Sequence, residues 1–154
     1  MRLSNRTDYA LRTLFTLVEC ADKELVSTRK LAERNDIPKK FLEQILTEMK
    51  AKGWIESVTG KRGGYRLAKP SSAITMGEVI RHFDGSLSPI ACVSSTGYKY
   101  CTQETVCRFR RLFLDARNYV TRLMDESTLE SVFKAEPVTR EEVFKETLLY
   151  GAGI

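Results

Sequence analysis

Breaker residues cut positions 27–67 into pieces that suit only a compact set of short helices and one hairpin. Ser27-Thr28, Asn35-Asp36-Ile37-Pro38, Gly53 and Gly63-Gly64 separate runs of helical or strand-like periodicity. Ser27 or Thr28 can cap a short helix whose inner face carries Leu31 and Ala32. Asn35-Asp36 signals a turn, Ile37 is an apolar plug, and Pro38 suits the first position of a new helix. That helix is predicted to turn Phe41, Leu42, Ile45, Leu46 and Met49 inward and to stop at Gly53, where a C-terminal glycine belongs. Trp54–Val58 and Tyr65–Leu67 read as two strands joined through Thr59-Gly60-Lys61-Arg62-Gly63-Gly64. Upstream, Ala10, Leu11, Leu14, Phe15, Leu17, Val18 and Ala21 recur at helical spacing, predicting a helix over 7–21 that ends near Asp22-Lys23.

Helix, short helix, turn, helix, hairpin is the element order of a winged helix-turn-helix. The helix-turn-helix falls at about 28–51 and the wing at 54–67. In such a unit the later helix enters the major groove and offers the residues near its N-terminus to base edges. Here these are Lys39, Lys40, Glu43 and Gln44. Lysine suits phosphate or guanine, glutamine can hold adenine bidentately, and glutamate can accept from cytosine N4. A place at the rim without base contact stays equally open for Glu43 and Gln44. Thr28, at the start of the preceding helix, and Lys61, Arg62 and Gly63 in the wing complete the candidate DNA-contacting set. The glycines there permit a close approach to the duplex backbone or minor groove.

Charge supports a polyanionic partner. Residues 1–70 hold 15 Lys/Arg against 9 Asp/Glu, whereas residues 71–154 hold 10 against 11. All the excess positive charge therefore sits in the half that carries the helix-turn-helix. No run approaches the roughly 18 apolar residues of a membrane span. The opening residues show no signal-peptide core, which points to the cytoplasm. Phosphate loops, nucleophile–base pairs and a second histidine beside His82 are absent, so neither an enzyme nor a small-molecule substrate is indicated.

Beyond Pro70, Thr75-Met76-Gly77-Glu78 matches a capping box and opens a helix through Val79, Ile80 and Phe83. Residues 86–102 read as an irregular loop. A long helix is predicted from about Gln103, over 103–125. Along it Val106, Phe109, Phe113, Ala116, Val120 and Leu123 repeat as a heptad seam, widened by Leu112 and Tyr119, that invites a partner helix. A short helical piece covers 129–133, an amphipathic helix 139–149, and a frayed tail 151–154. The fold class is mainly α, a winged helix-turn-helix with a long dimerisation helix. The chain divides into 1–70 (DNA-binding), 71–135 (cysteine loop and dimerisation helix) and 136–154 (C-terminal helix and tail).

Of the four cysteines, Cys20 lies among apolar helix residues and reads as core. The others form Cys92-x8-Cys101-x5-Cys107 in a breaker-rich loop, with Cys107 expected on the first turn of the long helix, where the dipole favours a thiolate. The spacing is no standard zinc motif. Thiolates favour an iron–sulfur cluster or zinc over hard cations. Metal binding, a redox-active thiol cluster and plain cysteines all stay open on spacing alone. A metal would need a fourth donor, for which Glu104, His82 and the more distant Asp8 are at hand. Alternatively, Asp8 is an ordinary acid in the first turn of a helix.

These residues resemble a known family. Arg2-Leu3-Ser4 with Asp8-Tyr9-Ala10-Leu11, Lys40-Phe41-Leu42-Glu43-Gln44-Ile45-Leu46, the wing Gly63-Gly64-Tyr65 and the cysteine triplet are similar to the winged-helix regulators typified by IscR, NsrR, RirA and CymR, over about residues 1–135. The resemblance implies a homodimer on a double-stranded DNA operator, a repressor in its usual mode, and an iron–sulfur cluster on Cys92, Cys101 and Cys107. In the nitric-oxide-sensing branch an aspartate of the first helix reaches from the other subunit to complete a four-iron cluster, and Asp8 falls at that place. In the cluster-biogenesis branch a histidine serves, and the matching Arg110 cannot ligate. This favours a 4Fe-4S over a 2Fe-2S cluster. The eight-residue first gap is longer than in both branches and closer to iron-responsive members. CymR-like members imply a clusterless alternative that senses through its thiols or a partner protein. An iron–sulfur electron carrier is the third possibility.

Overall fold

The structure is a computed structural model that describes residues 2–21 and 23–150. Helix α1 (Asn5–Glu19) is capped by Ser4, whose hydroxyl accepts from the Thr7 N–H at 3.3 Å. It ends at Glu19, short of the expected Asp22-Lys23, because the Cys20 carbonyl is taken by the Lys23 N–H at 3.0 Å in a tight turn. Thr13 and Thr16 are buried in α1, and their hydroxyls donate to the Tyr9 and Arg12 carbonyls at 2.7 and 3.1 Å, so neither hydroxyl is stranded. Helix α2 (Thr28–Asn35) is capped by Ser27, which makes Thr28 its first residue. Asp36 then takes a left-handed conformation (φ 53°) and turns the chain into α3 (Lys39–Ala51). Pro38 is the N-cap of α3 rather than its first helical residue, with extended ψ 124°. Gly53 (φ 68°) stops α3 as the sequence predicts.

The wing is an antiparallel pair, β1 (Ile55–Val58) and β2 (Gly64–Leu67), with Ile55 opposite Leu67 and Val58 opposite Gly64. Val26 adds a bridge to Tyr65 through two backbone hydrogen bonds of 2.9 and 3.1 Å. Helices α4 (Met76–Asp84), α5 (Phe109–Glu126), α6 (Leu129–Lys134) and α7 (Arg140–Tyr150) follow. Thr75 caps α4 through the Glu78 N–H, but the box is only half made. The Glu78 carboxylate instead accepts from the indole N–H of fully buried Trp54 at 2.9 Å. An unpaired buried donor there would cost about 1–3 kcal/mol.

One hydrophobic core holds Leu14, Leu31, Leu42, Ile45, Met49 and Trp54 together with Ile74, Val79 and Leu129. It therefore crosses the division expected at residue 70: α4 and α6 pack on α1 as part of the head. Thr75 bridges Thr128, and Leu129 N–H donates to the Ile74 carbonyl at 2.9 Å, returning the chain to the head after α5. Phe41 departs from expectation. It is 41% exposed on α3 and stands edge-on to Tyr9 with ring centroids 6.0 Å apart. Among the described residues no helix is long and apolar enough to cross a membrane. The expected fraying of 151–154 lies outside them.

Candidate DNA-reading head and cysteine cleft

Helix α3 is two-faced. Leu42, Ile45, Leu46 and Met49 are buried, while Lys39, Lys40, Glu43 and Gln44 are exposed. Burial of the apolar set, at about 2 kcal/mol per fully buried aliphatic side chain, fixes which face remains for a partner. Lys39 stands 3.9 Å from Glu43, an exposed pair of little strength that a phosphate can displace. Lys61 and Arg62 are exposed at the wing tip. Gly63 and Gly64 beside them serve the wing itself. A Cβ on Gly63 would stand 2.3 Å from the Val58 carbonyl oxygen, and one on Gly64 2.8 Å from the Val26 carbonyl. Their glycine character thus comes from packing within the chain. Thr28 is half-buried at the start of α2.

The long helix begins later than expected. Residues 101–106 close as short turns, with Glu104 N–H donating to Cys101 and Val106 N–H to Gln103, both at 3.1 Å. Helix α5 starts at Phe109 with no side-chain cap. Val106 and Cys107 therefore lie on the approach to α5, outside the helix, and Cys107 does not occupy its first turn. Phe109, Phe113, Ala116, Val120 and Leu123 do lie on α5, and none of its residues is buried within this chain.

Cys92 sits in a 3-10 turn (Ala91–Val93), Cys101 on the exposed loop and Cys107 just before α5. All three are free thiols, with Cys92 and Cys107 half-buried. All three line one cleft of about 440 Å³, with Glu104, Val106 and Phe109 on its walls. Three soft donors converging from separate parts of a loop suit an iron–sulfur cluster or zinc. Among the described residues, however, no three Cys, His, Asp or Glu side chains are gathered closely enough to hold a metal ion. Asp8 does not line the cleft of its own chain; it pairs with Arg12 at 2.8 Å on α1. His82 is also elsewhere, 3.3 Å from Glu48 and edge-on to Trp54.

The sequence reading missed what holds the loop. Arg110, on the first turn of α5, donates through Nη2 and Nε to the Cys92 carbonyl at 3.0 and 3.3 Å and through Nη1 to the Glu104 carbonyl at 3.4 Å. Its Nη2 also lies 3.4 Å from the Glu104 carboxylate, which accepts from the Tyr98 hydroxyl at 2.7 Å. That hydrogen bond holds the Tyr98 hydroxyl above its ordinary pKa. The only sequence signal was an arginine three positions after the last cysteine.

Residues 3–135 match the sequence model of a family described as Rrf2, iron-dependent transcriptional regulator. The chain belongs to the Rrf2 family. It is accordingly a helix-turn-helix transcriptional regulator, a DNA-binding protein. An rrf2-like HTH-type regulator of Rhodobacter capsulatus is 31% identical over 139 residues, covering 86% of this chain and 93% of its own. The regulator NsrR of Geobacillus kaustophilus is 33% identical over 134 residues, covering 87% and 90%. Among solved structures, CymR, the global cysteine regulator of B. subtilis, superposes with a TM-score of 0.76 at 26% identity, covering 89% of this chain and 99% of that one. Staphylococcus aureus CymR in an oxidized form gives 0.72 at 25%, covering 90% and 100%. The winged helix-turn-helix fold read from the sequence is the fold of these Rrf2 proteins.

Proposed function

We propose that this Rrf2 regulator is a homodimeric repressor whose grip on its operator is set by an iron–sulfur cluster held by Cys92, Cys101 and Cys107. The observation that carries this reading is that all three thiols line a single cleft at the foot of α5, although in this chain alone they are not gathered to ligating distance. A four-iron cluster is preferred over a two-iron one, with Asp8 of a second copy as the fourth donor, as the resemblance to the nitric-oxide-sensing branch implies; Glu104, on the cleft wall, is already engaged by Arg110 and Tyr98. When bound, such a cluster supplies a centre sensitive to nitric oxide, iron supply or redox state.

The chain's own residues do the rest. Phe109, Phe113, Ala116, Val120 and Leu123 pair two copies along α5, which has no buried residue without such a partner. The two α3 helices then meet half-sites about one DNA turn, roughly 34 Å, apart. Lys39, Lys40, Lys61 and Arg62 hold phosphates while Gln44 and Glu43 face base edges. Thr28, at the start of α2, and Gly63, in the wing, complete the proposed contact set. Arg110 couples the cysteine loop to α5, so a change at the thiols bears on the helix that spaces the heads.

A second reading is favoured by the half-buried free thiols and by the oxidized form recorded for S. aureus CymR: a clusterless regulator switched by thiol oxidation. Anaerobic purification separates the two. The cluster reading expects a brown protein with iron and sulfide in equal count, and altered operator affinity after Cys92, Cys101 and Cys107 are replaced by serine. A colourless, iron-free preparation whose operator binding changes only on peroxide treatment would select the thiol reading.

A further inference from the structure

A second cleft, of about 230 Å³, opens where the end of α4, the loop over 86–96 and the middle of α5 meet. Its walls carry Arg81, Arg117, Asp125 and the hydroxyl residues Ser88, Thr96 and Thr121. Arg81 and Asp125 satisfy each other at 2.6 Å. Arg117 is different. Its Nε is shielded from solvent yet has no hydrogen-bond partner, and its guanidinium has no ion pair among the described residues. The walls thus present two guanidinium groups against one carboxylate, and the surplus charge belongs to Arg117. The Nε itself is closed off from the cleft, but the guanidinium carries a charge that no carboxylate on these walls offsets, and a charge held in a partly enclosed cleft without a counter-charge is costly.

The geometry points to a binding site for a small oxyanion, sulfate or phosphate in type, with Arg117 as its principal anchor. Three features select that class. A planar guanidinium offers paired donors that match the oxygens of such an anion. Serine and threonine hydroxyls rotate to donate to the remaining oxygens. The volume holds an anion a few times the roughly 30 Å³ of a water molecule, yet falls below the roughly 300 Å³ at which pockets for larger organic ligands begin. A singly charged anion would balance the one uncompensated charge, and a doubly charged one would leave a charge for the hydroxyl donors to offset. Because the walls come from the loop that begins beyond α4 and from α5, an occupant would tie the two together. Arg117 also borders the cleft lined by Cys92 and Arg110, so the site is tested in metal-free protein.

The test is isothermal titration of the metal-free, DNA-free protein with sodium sulfate and sodium phosphate, each against chloride at matched ionic strength. The site predicts saturable binding with one anion per chain, retained in a Lys39→Gln/Lys40→Gln variant that removes the competing phosphate-binding face of α3. Arg117→Gln is expected to weaken it about tenfold or more, the loss of one charge-assisted donor. Thr121→Val, which keeps the guanidinium, gives a several-fold loss and serves if Arg117→Gln fails to fold. Absence of anion-specific binding in the parent protein, its survival in Arg117→Gln, its indifference to Thr121→Val, or its disappearance in the Lys39/Lys40 variant would each overturn the proposal.

Discussion

Arg110 is where the chemistry of a single side chain has the most leverage. One guanidinium serves the Cys92 carbonyl, the Glu104 carbonyl and the Glu104 carboxylate, fastening both ends of the cysteine loop to the first turn of α5. Arg110→Ala should raise amide exchange over 92–104 about tenfold in the metal-free protein, the expected loss of one to two charge-assisted bonds. Exchange in α1 and α3 should stay as it was. Arg110→Lys should restore little, because an ammonium lacks the planar fork. Unchanged exchange over 92–104 in Arg110→Ala would show the loop to be held by other means. Asp84 offers a pH-dependent case. Partial burial pushes its carboxyl up, but hydrogen bonds from Ser4 and Thr7 and the charge of Arg6 outweigh this and hold it below its ordinary 3.8. A lowered folded value means stability that is present above 3.8 and lost as pH falls through the folded pKa. Asp84→Asn should therefore be slightly less stable at neutral pH, by about 0.5 kcal/mol or less given solvent screening. The gap should close in acid, as followed by urea denaturation across pH. At this scale the sequence marks where a side chain is unwelcome without saying why. Gly63-Gly64 read as room for DNA, whereas the atoms that exclude a Cβ are the chain's own carbonyls at Val58 and Val26.

Helices announce their ends through caps, and legibility followed that signal. Ser27, Asp36 and Gly53 carry cap or turn chemistry in their own identity, and the bounds of α2 and α3 match it. The start of α5 has no such mark. Arg108 caps it without a side-chain bond, and periodicity that runs on through Val106 gives no hint that residues 101–106 close as turns. Phe41 misled for a related reason: helical spacing assigns it to the apolar face, but its ring lies at the edge of that face against Tyr9. The apolar stripe of α5 follows period alone from Phe109 to Leu123, while Val106 falls outside the helix. Phe109 and Leu123 are 64% and 46% exposed in this chain, and Phe109 meets Phe113 edge-on at 6.1 Å. An apolar stripe of this kind on a regulator calls for a covering helix. Phe109→Glu with Phe113→Glu should convert a dimer to a monomer in sedimentation velocity. Operator affinity should fall by a hundredfold or so, since bivalency supplies an effective concentration that a lone head lacks. An unchanged sedimentation coefficient would move the interface elsewhere.

At the scale of the whole molecule, α5 is tied to the head at both ends. The Arg110 network anchors its start through the cysteine loop. Its end returns through the Thr75–Thr128 bridge and the Arg81–Asp125 pair. The domain pattern in the sequence suggested a boundary near residue 70, yet Ile74, Val79 and Leu129 share the core of the helix-turn-helix. Such sharing is not visible in periodicity, which reports that a face is buried but not against what. Its consequence is that α4 is the joint between the DNA-reading head and α5. Gly77 makes that joint close-fitting, since a Cβ there would stand 2.0 Å from the Asp125 carboxylate. Gly77→Ala sets two effects against each other. Alanine in place of glycine favours helix by up to about 1 kcal/mol, while displacing Asp125 loses an ion pair of about 1 kcal/mol or less. Thermal stability should thus shift little. The coupling should not survive, because Asp125 would no longer hold Arg81 across the joint. In operator titrations of the loaded protein and its triple-serine counterpart, Gly77→Ala should therefore bring the two affinities together without abolishing either. A ratio equal to that of the parent chain would show that the signal reaches the heads by another route.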